Sequence, residues 1–204
     1  MIKRVVEIST AGTYLSVKLG QLIVKQEGQV KGQISCEDIG VLLIDHQGIS
    51  YTHSVFTELL AHGAAVVLCN GTHHPAGMLL PLETNTVQTE RFRNQINAKE
   101  PLKKKLWQQI VRAKIKHQAK LVHYDQIVYK ILLDLQKKVR SGDPDNIEAQ
   151  ASQKYWSVYL QNEAFRRKRD GIGPNNLLNY GYMVMRAAVA RALCSAGLSA
   201  TLGI

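Results

Sequence analysis

A single carboxylate, Glu148, stands in GDPDNIEAQASQKYW, residues 142–156, where residue types and spacing place it just inside the start of a helix. Asp143 is a good N-cap, because its side chain can accept the unpaired N–H groups of a first turn. Pro144 suits the first helical position, so the pattern predicts a helix from about Pro144. At helical spacing Glu148 shares a face with Ala151, Ser152, Tyr155 and Tyr159, small and aromatic residues that would solvate a free carboxylate poorly. An acid on such a face wants a cation. The plainer alternative is a first-turn acid, favoured by the helix dipole and facing water.

Cations are available on both sides in sequence. Arg166-Arg167-Lys168-Arg169 follows closely, in a loop or helix end, and LWQQIVRAKIKHQA at 106–119 reads as an amphipathic helix. Leu102, Leu106, Ile110, Ala113 and Leu121 line one side of it, widened by Trp107, Val111, Ile115 and Val122. Lys105, Arg112, Lys116 and Lys120 fall together opposite, so one face is expected to be core and the other basic. Solvation alone would account for either basic group. Carboxylate and cations sharing a neighbourhood suit a metal-dependent reaction on a phosphate backbone. On that reading Glu148 is the candidate catalytic and metal-binding residue, and Lys105, Arg112, Lys116, Lys120, Arg166, Arg167 and Arg169 are the candidates for binding the nucleic-acid backbone.

The elements that must position these residues divide by texture. Up to about residue 80 short strands alternate with tight turns: 2–8, then Leu15, Val17 and Leu19, then 22–24, with Gly12, Gly20 and Gly28 between them, a β-meander. The runs 39–44 and 64–69 are continuously apolar and belong inside, with a short helix at 54–60 between them. Gly71-Thr72-His73-His74-Pro75 looks metal-like, but two adjacent histidines in a Gly/Pro turn do not easily face one ion. From Thr89 to Gly197 the pattern is helical. Residues 125–140 form an amphipathic helix with Ile127, Val128, Ile131, Leu132 and Leu135 as core. Residues 175–198 are apolar nearly all round, a central buried helix that Gly197 ends in a left-handed cap. The expected fold class is α+β: a β-sheet or sandwich domain over 1–75, a linker over 76–86, and an all-α helical domain over 87–204.

Composition narrows the partner. The 204 residues carry 26 Lys and Arg against 16 Asp and Glu, a net charge of +10, and 45% are hydrophobic. A chain with a real core and this excess of positive charge points to an anionic partner, most often nucleic acid. Cys36, Cys69 and Cys194 are far apart and read as buried, reduced thiols, which signals neither a zinc site nor a disulfide framework. No secretion signal or membrane span is legible, so a cytoplasmic protein is expected.

The order of a small β domain, a short linker, LWQQIVRAKIKHQA, NIEAQASQKYW, and NNLLNYGYMVMRAAVARALCSAGL leading to Leu202-Gly203-Ile204 resembles the CRISPR adaptation integrase-endonuclease family, which inserts new spacers into CRISPR arrays. The resemblance runs through the whole chain and is most specific in the three helical motifs taken together. It implies a helical domain in which a glutamate, a histidine and a second acid hold a divalent ion, Mg²⁺ or Mn²⁺, and Glu148 matches the glutamate. It further implies cleavage and 3′-hydroxyl transesterification on double-stranded DNA, both protospacer and CRISPR array. It implies as well that the helical domain over 87–204 is the catalytic one, that the β-rich domain over 1–75 serves dimerisation, and that homodimers assemble in pairs around a small companion adaptation protein. In the family the histidine follows Leu-Gly-Ile directly and the second acid comes later, so the chain reads as a C-terminally truncated, inactive version. Two rivals stand beside this: a non-catalytic DNA-binding and dimerisation module, and an unrelated basic RNA-binding or ribosome-associated protein, for which no RNA-recognition signature is seen.

Overall fold

The computed structural model describes residues 3–82, 85–162, 165–168, 171 and 173–203. The chain divides into two compact units, residues 3–93 with 176–203, and residues 94–175.

The first unit holds eight strands: β1 (Arg4–Ile8), β2 (Tyr14–Lys18), β3 (Gln21–Gln26), β4 (Gln29–Ser35), β5 (Ile39–Ile44), β6 (Ser50–Tyr51), β7 (Ala65–Cys69) and β8 (Pro75–Leu79). They form two four-stranded sheets, ordered β1-β5-β7-β8 and β4-β3-β2-β6. The meander is antiparallel over β2, β3 and β4. β1 does not belong to it: this strand crosses over to pair in parallel with β5, which in turn pairs in parallel with β7. The continuous burial of β5 follows, since a strand inside a parallel sheet has both faces covered. On one face Leu42, Ile44 and Val66 meet Leu15 and Leu22 of the second sheet and Val55 and Leu59 of helix α1 (His53–Ala61). On the other face Val41, Leu43 and Val67 meet Ala187, Met183 and Val184.

Those last three residues lie on α6 (Pro174–Ser195), and they change the domain division. Helical texture places 87–204 in one domain, yet α6 packs on the sheet and joins the first unit, because its Ala187 stripe matches the apolar face that β5 and β7 present. β8 lies within the span read as a linker, and the boundary falls inside α2 (Gln88–Ile96). Nor is α6 buried all round: Leu177, Met185 and Val189 are 72%, 61% and 56% exposed. Gly197 does end the helix region with φ +68°, its N–H donating to Cys194 O and that of Leu198 to Leu193 O. Cys36 is buried, whereas Cys69 and Cys194 are only half-buried, and none forms a disulfide.

The second unit contains α3 (Glu100–Leu121), α4 (Gln126–Lys138) and α5 (Ile147–Val158). Its core joins Val111, Ile115 and Ala119 of α3, Val128 and Leu132 of α4, and Ile147, Ala151 and Tyr155 of α5. The expected core face of α3 is corrected here. Leu102, Leu106, Ile110 and Leu121 are exposed, and the buried stripe is Val111, Ile115, Gln118 and Ala119. α3 carries two apolar stripes, and α4 and α5 cover only the second. On α4 the Asp125 carboxylate caps the amides of Ile127 and Val128, and Ile127, expected in the core, is exposed. Among the described residues no strand follows Thr89.

Candidate catalytic and DNA-binding site

Glu148 lies on the first turn of α5, which begins at Ile147 rather than near Pro144. Asp143 and Asn146 both adopt left-handed backbone, φ 49° and 50°, so the segment between them is a turn that the helix cannot include. Asp143 nevertheless caps the helix. Buried, it accepts the Ile147 amide at 2.9 Å and the Glu148 amide at 3.0 Å. Arg140 holds the turn through a two-pronged pair with Asp145, Nε to Oδ2 at 2.8 Å and Nη2 to Oδ1 at 2.6 Å. That guanidinium draws the Asp145 carboxyl below its usual range. The Gly142 amide donates to Lys104 O at 3.0 Å, which ties the turn to α3. With φ +77° and Lys104 Cγ 3.0 Å from where a Cβ would stand, a side chain there would be strained and would press on Lys104, which favours glycine.

The Glu148 side chain is 29% exposed, and its Oε1 is paired with the Lys114 ammonium of α3. The cation that the helix face called for is therefore an amino acid of this chain. Lys114 was not among the basic residues singled out from sequence. It stands three residues after buried Val111 and four before buried Gln118, at the rim of the seam that α3 makes with α5. Its signal becomes readable only once the buried stripe of α3 is placed correctly.

Beside Glu148 opens a cleft of about 540 Å³ whose lining includes Ser152, Trp156, Phe165, Arg166 and Arg167. The Arg167 guanidinium lies 5.7 Å from the centroid of the Trp156 ring and donates to Asn175 Oδ1 at 3.0 Å. Arg166 donates to Phe165 O at 2.9 Å. Two of the sequence-selected cations thus share a cleft with the carboxylate, and Arg169 lies outside the described residues. The α3 cations divide. Lys105, Lys116 and Lys120 are exposed and do not line the cleft. Arg112 donates to Val139 O at 2.8 Å, as does Gln108 at 2.7 Å, so Arg112 satisfies the carbonyl that ends α4.

A divalent ion makes demands that these donors do not meet. Mg²⁺ requires near-octahedral oxygen ligation and seldom relies on one side chain. Glu148 is a single carboxylate with an ammonium on it, and among the described residues no three His, Cys, Asp or Glu side chains converge to hold a metal. His73 reaches Asp45 instead, Nδ1 to Oδ2 at 3.1 Å. The donor set present does not fit a complete metal centre.

An α+β chain with a carboxylate-bearing cleft lined by arginines has the make-up of a protein that handles a polyanion. The family model for CRISPR associated protein Cas1 matches residues 6–204. The chain belongs to that family. It is 38% identical over 195 residues to the CRISPR-associated endonuclease Cas1 of Neisseria meningitidis serogroup C (strain 8013), covering 95% of this chain and 63% of the relative. Among solved structures, a casposase bound to integration product superimposes with TM-score 0.72 at 18% identity, over 96% of this chain and 62% of that one. A Cas6-RT-Cas1–Cas2 complex gives TM-score 0.70 at 20% identity, over 97% of this chain and 24% of that one. The chain thus spans somewhat under two thirds of the Neisseria relative. No described helix is long and apolar enough to cross a membrane.

Proposed function

We propose that this chain carries the glutamate and the duplex-binding surface of a CRISPR spacer-acquisition integrase-endonuclease, acting in the cytoplasm on double-stranded DNA. The observation that carries the proposal is Glu148 itself: a capped, half-buried carboxylate paired with Lys114 and sharing a cleft with Arg166 and Arg167. Cations around one carboxylate suit a polyanionic substrate, since they draw a phosphate backbone toward a group that would otherwise repel it. The reaction assigned is cleavage and 3′-hydroxyl transesterification, on protospacer and array, with Mg²⁺ or Mn²⁺ as cofactor. Among the described residues, the side chain this chain offers to that ion is Glu148. The partners proposed are a second copy and a small companion adaptation protein. The similarity to the Cas6-RT-Cas1–Cas2 complex supports the companion.

Exposed Lys105, Lys116 and Lys120 are assigned to sequence-independent phosphate contacts, as suits a protein that must accept arbitrary fragments. A second reading, a non-catalytic DNA-binding and dimerisation module, is favoured by the absence of further metal ligands beside Glu148 among the described residues. One comparison separates the two: strand transfer and duplex affinity of wild type and Glu148→Ala, in a chain carrying the length that the Neisseria relative has beyond this one. Loss of strand transfer with affinity retained supports the enzymatic reading; absence of transfer in the wild type supports the module.

A further inference from the structure

The first sheet ends on β8, whose outer edge pairs with no other strand among the described residues. Alongside it runs α6, and between strand and helix lies a cleft of about 450 Å³ lined by Ala76, Gly77 and Met78 of β8 and by Tyr182, Met183 and Arg186 of α6, among others. At Gly77 the space a Cβ would take is open, with no atom within 4 Å. Arg186 is exposed, and among the described residues it is the only cation in this lining and no carboxylate pairs with it.

From this we propose that the β8–α6 groove binds an extended acidic peptide segment of a partner protein, which adds a strand to β8. A free sheet edge offers main-chain hydrogen bonds, and a pocket beside it selects side chains, which is how strand addition combines affinity with specificity. The side chains follow from spacing. Residues two apart on a strand face the same side, about 6.6 Å apart. Met183 and Arg186 are three apart on a helix, neighbours at about 5–6 Å. An apolar residue seated against Met78, Met183 and Tyr182 therefore places the residue two positions away at Arg186, whose planar fork selects Asp or Glu. The ligand is an apolar-x-acidic strand. Duplex DNA has no edge to pair with β8, and its phosphates would leave the apolar floor unfilled. The groove involves none of the residues around Glu148.

The test is selection from a random heptapeptide display library on the wild-type chain, with counter-selection on Gly77→Val, which fills the open space at a position with no left-handed backbone. The expected result is enrichment of the apolar-x-acidic pattern. A fluorescein-labelled consensus peptide should bind the wild type and lose about tenfold or more affinity on Arg186→Ala, the scale of one charged hydrogen-bonded pair. Its Asn-for-Asp counterpart should bind equally weakly to both proteins. Selection without acidic residues, selected peptides that bind Gly77→Val as well, or indifference to Arg186→Ala overturns the proposal. So does competition by a short DNA duplex, or a loss of self-association in Gly77→Val by sedimentation equilibrium, which gives the groove to nucleic acid or to a second copy. Should Gly77→Val fail to fold by circular dichroism, the Arg186→Ala and Asn-peptide pair decides alone.

Discussion

Asp143 reaches across the turn to accept the backbone amide of Glu148, so the carboxylate that caps α5 also fixes where its first acidic side chain starts. Replacing it should loosen both. Asp143→Ala is expected to cost about 1–2 kcal/mol, the usual range for removing an N-cap, with Asp143→Asn close to wild type because its amide oxygen can still accept. Urea unfolding midpoints check this. Equal midpoints for wild type and the Ala variant would show that the turn, held by Arg140 and Asp145, positions α5 unaided.

The α3 cations should separate by role. Lys116→Ala and Lys120→Ala are expected to weaken binding to duplexes of any sequence and to lower the salt slope by about 0.9 for each phosphate no longer neutralised. Arg112→Ala should act mainly on stability, since its guanidinium holds the Val139 carbonyl at the end of α4. Affinity measured across a salt series, beside thermal melts of the same variants, distinguishes the two. An unchanged slope for the lysine pair would leave that face merely solvated.

For the Glu148–Lys114 pair the expectation concerns metal. With no further ligand converging on Glu148 among the described residues, the chain is expected to bind Mn²⁺ weakly and to show no nuclease or strand-transfer activity. Lys114→Gln should raise Mn²⁺ affinity modestly, because the ammonium no longer competes for the Glu148 oxygen. Titration followed by the paramagnetic Mn²⁺ signal reads this, with Glu148→Ala as the control that removes the increment. Nuclease activity in the chain itself would contradict the reading of its donor set.

Cys69 provides a pH dependence in the first unit. Burial pushes its thiol from 9.0 up to about 11, and the neighbouring Asp45 and Glu7 carboxylates add to the shift. A folded value above the unfolded one means that the neutral thiol is the favoured form. Its stabilisation is complete below about pH 9 and is lost as pH rises through about 11. Tyr180, raised for the same reasons and also close to Glu7 and Asp45, adds its own loss at still higher pH. Wild type should therefore lose stability relative to Cys69→Ala between pH 9 and 11, as read from denaturant midpoints. Parallel profiles for the two would rule out the shift.

Local order was legible because it depends on near neighbours in the chain. Continuous apolar runs marked β5 and β7, alternation marked β2, and Asp125 marked the start of α4. The identity of Glu148 as the acid in need of a cation came from Ala151, Ser152 and Tyr155 on its own helix and Tyr159 at that helix's end. What the sequence left open depends on distant segments. Both apolar stripes of α3 satisfy helical periodicity, and only the arrival of α4 and α5 decided that Val111, Ile115 and Ala119 go inside while Leu106 and Ile110 stay outside. The partner of Glu148 lies 34 residues away. β1 reads as part of a meander until β5, more than thirty residues later, offers it a parallel edge. α6 carries an apolar surface that suits a helical bundle or a sheet equally, and it went to the sheet because β5 and β7 present Val41, Leu43 and Val67 to it. Periodicity says that a face will be buried; which surface buries it is settled by the tertiary competition among all available faces.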